Sequence, residues 1–164
     1  MNTGQMLMTI GAMVLLSTLI LRVNTNFAEN SDTVYNSKYE ILASSLGNSI
    51  IEEASGKAFD QVTTKNPISS LTGLTLPASL GLDSGEVYPY FDDFDDYNNF
   101  TKIDSTLPSA VFKINCKVQY VTPDDLDGAS LVCTWTKKIT VTVTSISMAD
   151  TVRLSSLYSY WVFR

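Results

Sequence analysis

From Met1 to Leu21 the chain carries no charged side chain: MNTGQMLMTIGAMVLLSTLIL. A run of ~20 apolar residues rising 1.5 Å each crosses the ~30 Å of hydrocarbon in a bilayer, so the segment is long enough for a membrane anchor. The pattern then changes character without breaking. Tyr35, Tyr39, Leu42, Leu46, Ile50, Ala54 and Ala58 follow at intervals of three or four, a single helical stripe, while Asn36, Lys38, Glu40, Asn48, Glu52 and Glu53 take the other faces. No proline precedes Pro67. The pattern predicts one helix over residues 2–58, hydrophobic over 1–23 and amphipathic beyond; two helices joined by a hinge near Asn24 to Asn30 are the alternative.

Residues 59–109 hold four of the five prolines and sustain neither a 3.6- nor a 2-residue period, which predicts a long loop region with brief ordered pieces. From residue 110 onward the period is 2. AVFKINCKVQYV puts Phe112, Ile114, Cys116, Val118 and Tyr120 on one face; SLVCTWTKKITVTVTSIS alternates through Leu131, Cys133, Trp135, Ile139, Val141 and Val143; DTVRLSSLYSYWVF supplies a last strand. The turns between them are VTPDDLDGA and ISMAD. These strands make an antiparallel sheet over 110–164 with one apolar face, and the cover available for that face is the helical stripe. The fold class is α+β.

A hairpin closed around Pro123 to Gly128 sets Cys116 opposite Cys133, Val118 opposite Leu131 and Tyr120 opposite Ala129. That register predicts a Cys116–Cys133 disulfide, closing a loop of about 16 residues and contributing ~3 kcal/mol; two free buried thiols are the alternative. With no histidine in the chain, two thiols do not complete a zinc shell.

Charge and chemistry narrow the functions. A net charge of −6 leaves little with which to neutralise phosphates, so no nucleic-acid partner is expected. The chain has no histidine, no phosphate-binding glycine loop and no nucleophile in a recognisable turn, so no enzymatic activity is expected either. Asp92, Asp93, Asp95 and Asp96 offer hard oxygen ligands suited to calcium, but their spacing is not that of an EF-hand. A solvated acidic loop pinned by Tyr88, Tyr90, Phe91, Phe94 and Tyr97 is the favoured reading, and no other cofactor is indicated. Orientation poses a conflict: the positive-inside rule draws Arg22 to the cytoplasmic side, whereas the cysteines suit an oxidising exterior. It eases if a short basic leader is removed ahead of Met1, making Met1 the processed N-terminus.

A charge-free N-terminal helix continuing into an amphipathic half, then a variable loop, then an antiparallel sheet, resembles the type IV pilins and the pseudopilins of type II secretion. DDFDDYNN, Asp92 to Asn99, is similar to an acidic stretch of pilin-like proteins of the mannose-sensitive haemagglutinin type, and KKITVTVTS followed by TVRLSS is similar to the strand pair closing many minor pilins. The resemblance implies a subunit anchored in the inner membrane before assembly, handled by a pilus assembly machinery, and built into an extracellular filament whose partner is the chain itself. The core of that filament would be lined by Met1, Gln5, Leu7, Gly11, Val14, Leu16 and Leu19. The family usually carries glutamate as its fifth mature residue; Gln5 can accept a hydrogen bond from a neighbour's amine but cannot neutralise it. A minor pilin or pseudopilin, and a single-span anchored binding protein that never polymerises, are the alternative functions.

Overall fold

The computed structural model describes residues 2–160. The chain forms two compact units, Met1–Lys38 and Tyr39–Arg164. The element order is α1 (Thr3–Ser55), then β1 (Thr101–Asp104), β2 (Phe112–Tyr120), β3 (Thr136–Ser145) and β4 (Val152–Ser159), with short 3-10 turns between α1 and β1. Helix and antiparallel sheet together make the architecture α+β.

Helical hydrogen bonding runs unbroken through Asn24 to Asn30, where a hinge was the alternative. The hydroxyls that could disturb it are turned back onto the helix: Thr9 donates to the Met6 carbonyl (2.8 Å), Ser17 to Met13 (2.8 Å), Thr18 to Leu15 (2.9 Å) and Thr33 to Glu29 (2.9 Å). The helix stops at Ser55 rather than at residue 58, where the Gly56 amide is shared between the carbonyls of Glu52 and Glu53. Ala58 leaves the helix and pairs with Asp93 in an isolated bridge.

Four strands in the order β1-β2-β3-β4 form the antiparallel meander, one more than the pattern predicts. The extra strand, β1, lies within the expected loop region and pairs Lys102 with Ile114 and Asp104 with Phe112. Its alternation is only four residues long, too short to register as a period. The inward phase of β2 and β3 is as predicted: Phe112, Ile114, Cys116, Val118, Ile139, Val141 and Val143 are all buried.

The hairpin register is not as predicted. Ile114 pairs with Val143, Cys116 with Val141 and Val118 with Ile139, so β3 begins only at Thr136. Residues 129–135 form the connection instead, with Leu131 92% exposed. Cys133 sits in that connection, its Sγ 3.5 Å from the Thr75 carbonyl, and both cysteines are free thiols. The predicted disulfide is therefore absent, because the β2–β3 register gives Cys116 a valine as partner. The last strand ends at Ser159; the expected continuation through 161–163 lies outside the described residues.

The covering stripe of α1 is also shifted. Ala43, Gly47, Ile50 and Ala54 are buried, with Tyr39, Leu42 and Leu46 half-buried beside them and Tyr35 exposed. Small side chains occupy the centre because backbone and sheet come close there: a Cβ on Gly47 would lie 2.7 Å from Leu154 Cδ1 and 3.5 Å from Val143 Cγ2. A second cluster, Phe59, Leu74, Leu80 and Tyr120, closes the other end of the core, joined by Ile68, Leu71, Cys133, Trp135, Tyr158 and Tyr160.

Candidate functional site

The first unit is a helix without a charged side chain through Leu21 and with its first charges at Arg22, Glu29, Asp32 and Lys38. All its described residues through Tyr35 are exposed, among them Leu7 (72%), Val14, Leu16 and Leu19. Leu7, Gly11 and Val14, at intervals of four and three, share one side, while Gln5, Leu16 and Leu19 lie toward the other. Gln5 is exposed, its amide bonded to the Asn2 carbonyl at 2.9 Å; Gly11 has no atom within 4 Å of where a side chain would start. Met1 lies outside the described residues. This helix is long and apolar enough to cross a membrane.

The second unit holds a lysine and several aspartates inside. Lys137 falls on the inward phase of β3 with Ile139, Val141 and Val143, and its side chain is fully buried. Nζ donates to the Phe59 carbonyl (2.7 Å), to Asp60 Oδ2 (2.9 Å) and to Asp95 Oδ1 (2.7 Å), so all three ammonium hydrogens are used. The Phe59 and Tyr120 rings lie 4.6 and 5.1 Å from it. Asp60 also accepts from the Thr75 amide (3.1 Å) and the Tyr120 hydroxyl (3.2 Å), which ties the segment after α1 to the loop at Thr75 and to β2. Burial alone would raise the Asp60 carboxyl, but the Lys137 charge and hydrogen bond, with the amides of Thr75 and Val62, outweigh it and hold the group below its ordinary value. At Asp95 burial wins over the same lysine and the carboxyl lies above its ordinary value.

The acidic stretch is a folded turn, neither solvated nor gathered around one point. Asp93, Asp95 and Asp96 are each 2% exposed, and only Asp92 faces solvent. Asp93 Oδ1 accepts from the amides of Asp95 (3.0 Å) and Asp96 (3.2 Å), and Asp96 Oδ2 accepts from those of Asp92 (3.1 Å) and Asp93 (3.3 Å). Burial, then the charges of Asp95 and Asp96, push Asp93 up to about 9. Phe94 is fully buried, and Tyr97 donates to Glu53 Oε1 at 2.9 Å while Tyr88 donates to Oε2 at 3.3 Å. Glu53, expected on a solvent face of the helix, is thus the acceptor that fixes this turn. Tyr88, Phe91, Tyr97 and Phe100 pack edge-on or tilted, with centroids 4.9–6.0 Å apart.

The four candidate calcium ligands do not all converge: Asp95 serves Lys137, while Asp93 and Asp96 accept from backbone amides. Among the described residues, Glu86, Asp92 and Asp96 bring carboxylate oxygens within 4.8 Å of one another, so two of the four candidate ligands gather with a glutamate that was not among them. Burial, then Asp96, Asp92 and Asp83, raise Glu86 to about 7, and its Oε2 is buried with no hydrogen-bond partner. Sequence reasoning missed Lys137, although its place in phase with three valine or isoleucine positions marks an inward lysine that must find carboxylates. No family model, no characterised protein and no solved structure matches the chain.

Proposed function

We propose that the chain is a structural subunit of an extracellular type IV pilus-like filament, held in the inner membrane by the first part of α1 and polymerising through it. The observation that carries the reading is the first part of α1: a stretch through Leu21 of membrane-spanning length and without a charge, in a helix whose described residues are all exposed through Tyr35. Such a surface is stable only in lipid or against other apolar surface. Transfer from lipid to a filament core replaces one apolar environment by another, so packing rather than water exclusion must favour it. Gly4 and Gly11, which leave backbone bare, suit close helix approach. The resemblance of the whole order of parts to type IV pilins supports the same reading, as does an outer unit whose buried lysine and aspartates find their partners inside the core.

Electron microscopy of sheared surface filaments, with mass spectrometry of the subunit, tests it. Leu16→Asp is expected to abolish filaments, because a carboxylate in the core would lose water without gaining a partner, at a cost of several kcal/mol. Wild-type filament yield from that variant, or a chain recovered only from membranes, refutes the proposal.

A further inference from the structure

Strands β2, β3 and β4 contain no acidic residue, although the chain as a whole is acidic. On the sheet face turned away from the core stand Lys113, Lys117, Lys138 and Arg153 among serine, threonine and amide side chains. Lys138 is neutralised by Asp127 at 2.7 Å; Lys113, Lys117 and Arg153 are exposed and, among the described residues, make no ion pair. Leu157, across the ladder from Lys138, adds a half-exposed apolar spot (46%). The net charge had suggested no basic surface, yet strand alternation concentrates one.

The counterpart is the segment 82–92 on the helix side of the sheet, where the Tyr88 ring packs on Phe91 and Phe100 and its hydroxyl reaches Glu53 of α1. Asp83, Glu86 and Asp92 cluster there with Asp96 and, among the described residues, make no ion pair; Lys102 stands by, but its Nζ lies on the Tyr88 hydroxyl (3.4 Å) and ring (5.1 Å), and one Glu86 oxygen is buried without a partner. Val87 (66%) and Tyr90 (81%) stand exposed beside them. Each surface thus pairs unneutralised charge of one sign with exposed apolar side chains, and the two occupy opposite sides of the sheet. They cannot meet within one copy.

We infer that the basic outer face of the sheet docks on the acidic segment 82–92 of a second copy of this chain. The inference rests on the filament reading and names the surfaces that the outer units would use. Two copies of net negative charge repel unless opposed patches face each other, and a lysine delivered to Glu86 and Asp92 supplies the ion pair those carboxylates lack among the described residues. A contact between two different surfaces is heterologous, so it repeats along an assembly instead of closing a dimer.

The test is zero-length carbodiimide coupling of filaments assembled from a mixture of isotopically light and heavy full-length chains, read by peptide mass spectrometry. Mixed-isotope linkages from Lys113 or Lys117 to Asp83, Glu86 or Asp92 are expected. Lys113→Glu with Lys117→Glu should cut filament yield about tenfold or more, and adding Asp83→Lys with Asp92→Lys should restore most of it. Filaments that form at wild-type yield without those linkages overturn the inference and leave the filament reading standing. If wild-type chain makes no filament, the filament reading fails, and the same coupling on full-length chain in phosphatidylcholine vesicles decides the contact: absence of the linkages overturns it. A reversal variant that assembles normally but loses retention on immobilised polyphosphate overturns it too, assigning the face to a polyanion.

Discussion

Replacing Lys137 by Met keeps the volume and apolar stem of the side chain and removes only the ammonium. The structure sets the consequence: Asp60 Oδ2, Asp95 Oδ1 and the Phe59 carbonyl each lose a donor at 2.7–2.9 Å, and none is accessible to water at a site where the lysine is 0% exposed. Three hydrogen bonds to a charged donor would sum to more, but the lysine also paid desolvation to be there, so the net loss is that of breaking a buried ion pair, about 3–5 kcal/mol. The loss should depend on pH. Without the neighbouring charge Asp60 no longer stays below its ordinary value, and burial drives both carboxyls upward; groups raised in the folded state cost stability as pH rises. The deficit of Lys137→Met relative to wild type is therefore expected to be larger at pH 8 than at pH 5. Thermal unfolding of full-length chain in mild detergent, followed by near-ultraviolet circular dichroism of the Trp135–Tyr160 stack, reads it. A deficit under 1 kcal/mol at neutral pH, or one that does not change with pH, would refute the assignment of Lys137 as the tie between Asp60 and Asp95.

Asp93→Asn keeps the oxygen that accepts from the amides of Asp95 and Asp96 but removes a carboxyl that burial holds protonated to about pH 9. Retaining that proton at pH 7 against an ordinary aspartate value of 3.8 costs at most ~4 kcal/mol. The wild type should lose stability as pH rises from about 4 to about 9, and in melts across that range the variant should be more stable at pH 8 and show a shallower slope. Gly47→Ala places a Cβ 2.7 Å from the end of the Leu154 side chain, which can shift, so denaturant unfolding should show a loss of about 1–3 kcal/mol rather than a failure to fold. Adding a thiol reductant should leave the melting temperature unchanged, since Cys116 faces Val141 and burial pushes its thiol up to about 12; a fall of several degrees would mean that the cysteines are paired.

How far the sequence spoke for itself follows from the range of the interactions involved. Helix α1 and the inward phase of β2 and β3 were legible because they rest on local periodicity: absence of proline before Pro67, and strict alternation at Phe112, Ile114, Ile139, Val141 and Val143. The uncharged stretch through Leu21 was equally plain, since an unbroken run of uncharged residues needs no partner to be recognised. Register was not legible. Alternation continues from Leu131 to Val143, so several offsets of β3 against β2 bury the same kinds of residue, and packing against α1 and the loop selected Cys116 opposite Val141 over Cys116 opposite Cys133. The centre of the α1 stripe moved to Ala43 and Gly47 because closeness of approach, not hydrophobicity, decides which residues can sit between a helix and a sheet. Only the tertiary structure decided the fate of the charges. DDFDDYNN reads as a solvated loop until Lys137, some forty residues away, and the amides of its own turn supply the donors that make burial of three aspartates affordable. Likewise, no window of sequence shows a basic surface in a chain of net charge −6; it exists because three strands without acidic residues pair in a register that brings Lys113, Lys117, Lys138 and Arg153 to one side of the sheet, while Lys137 turns to the other.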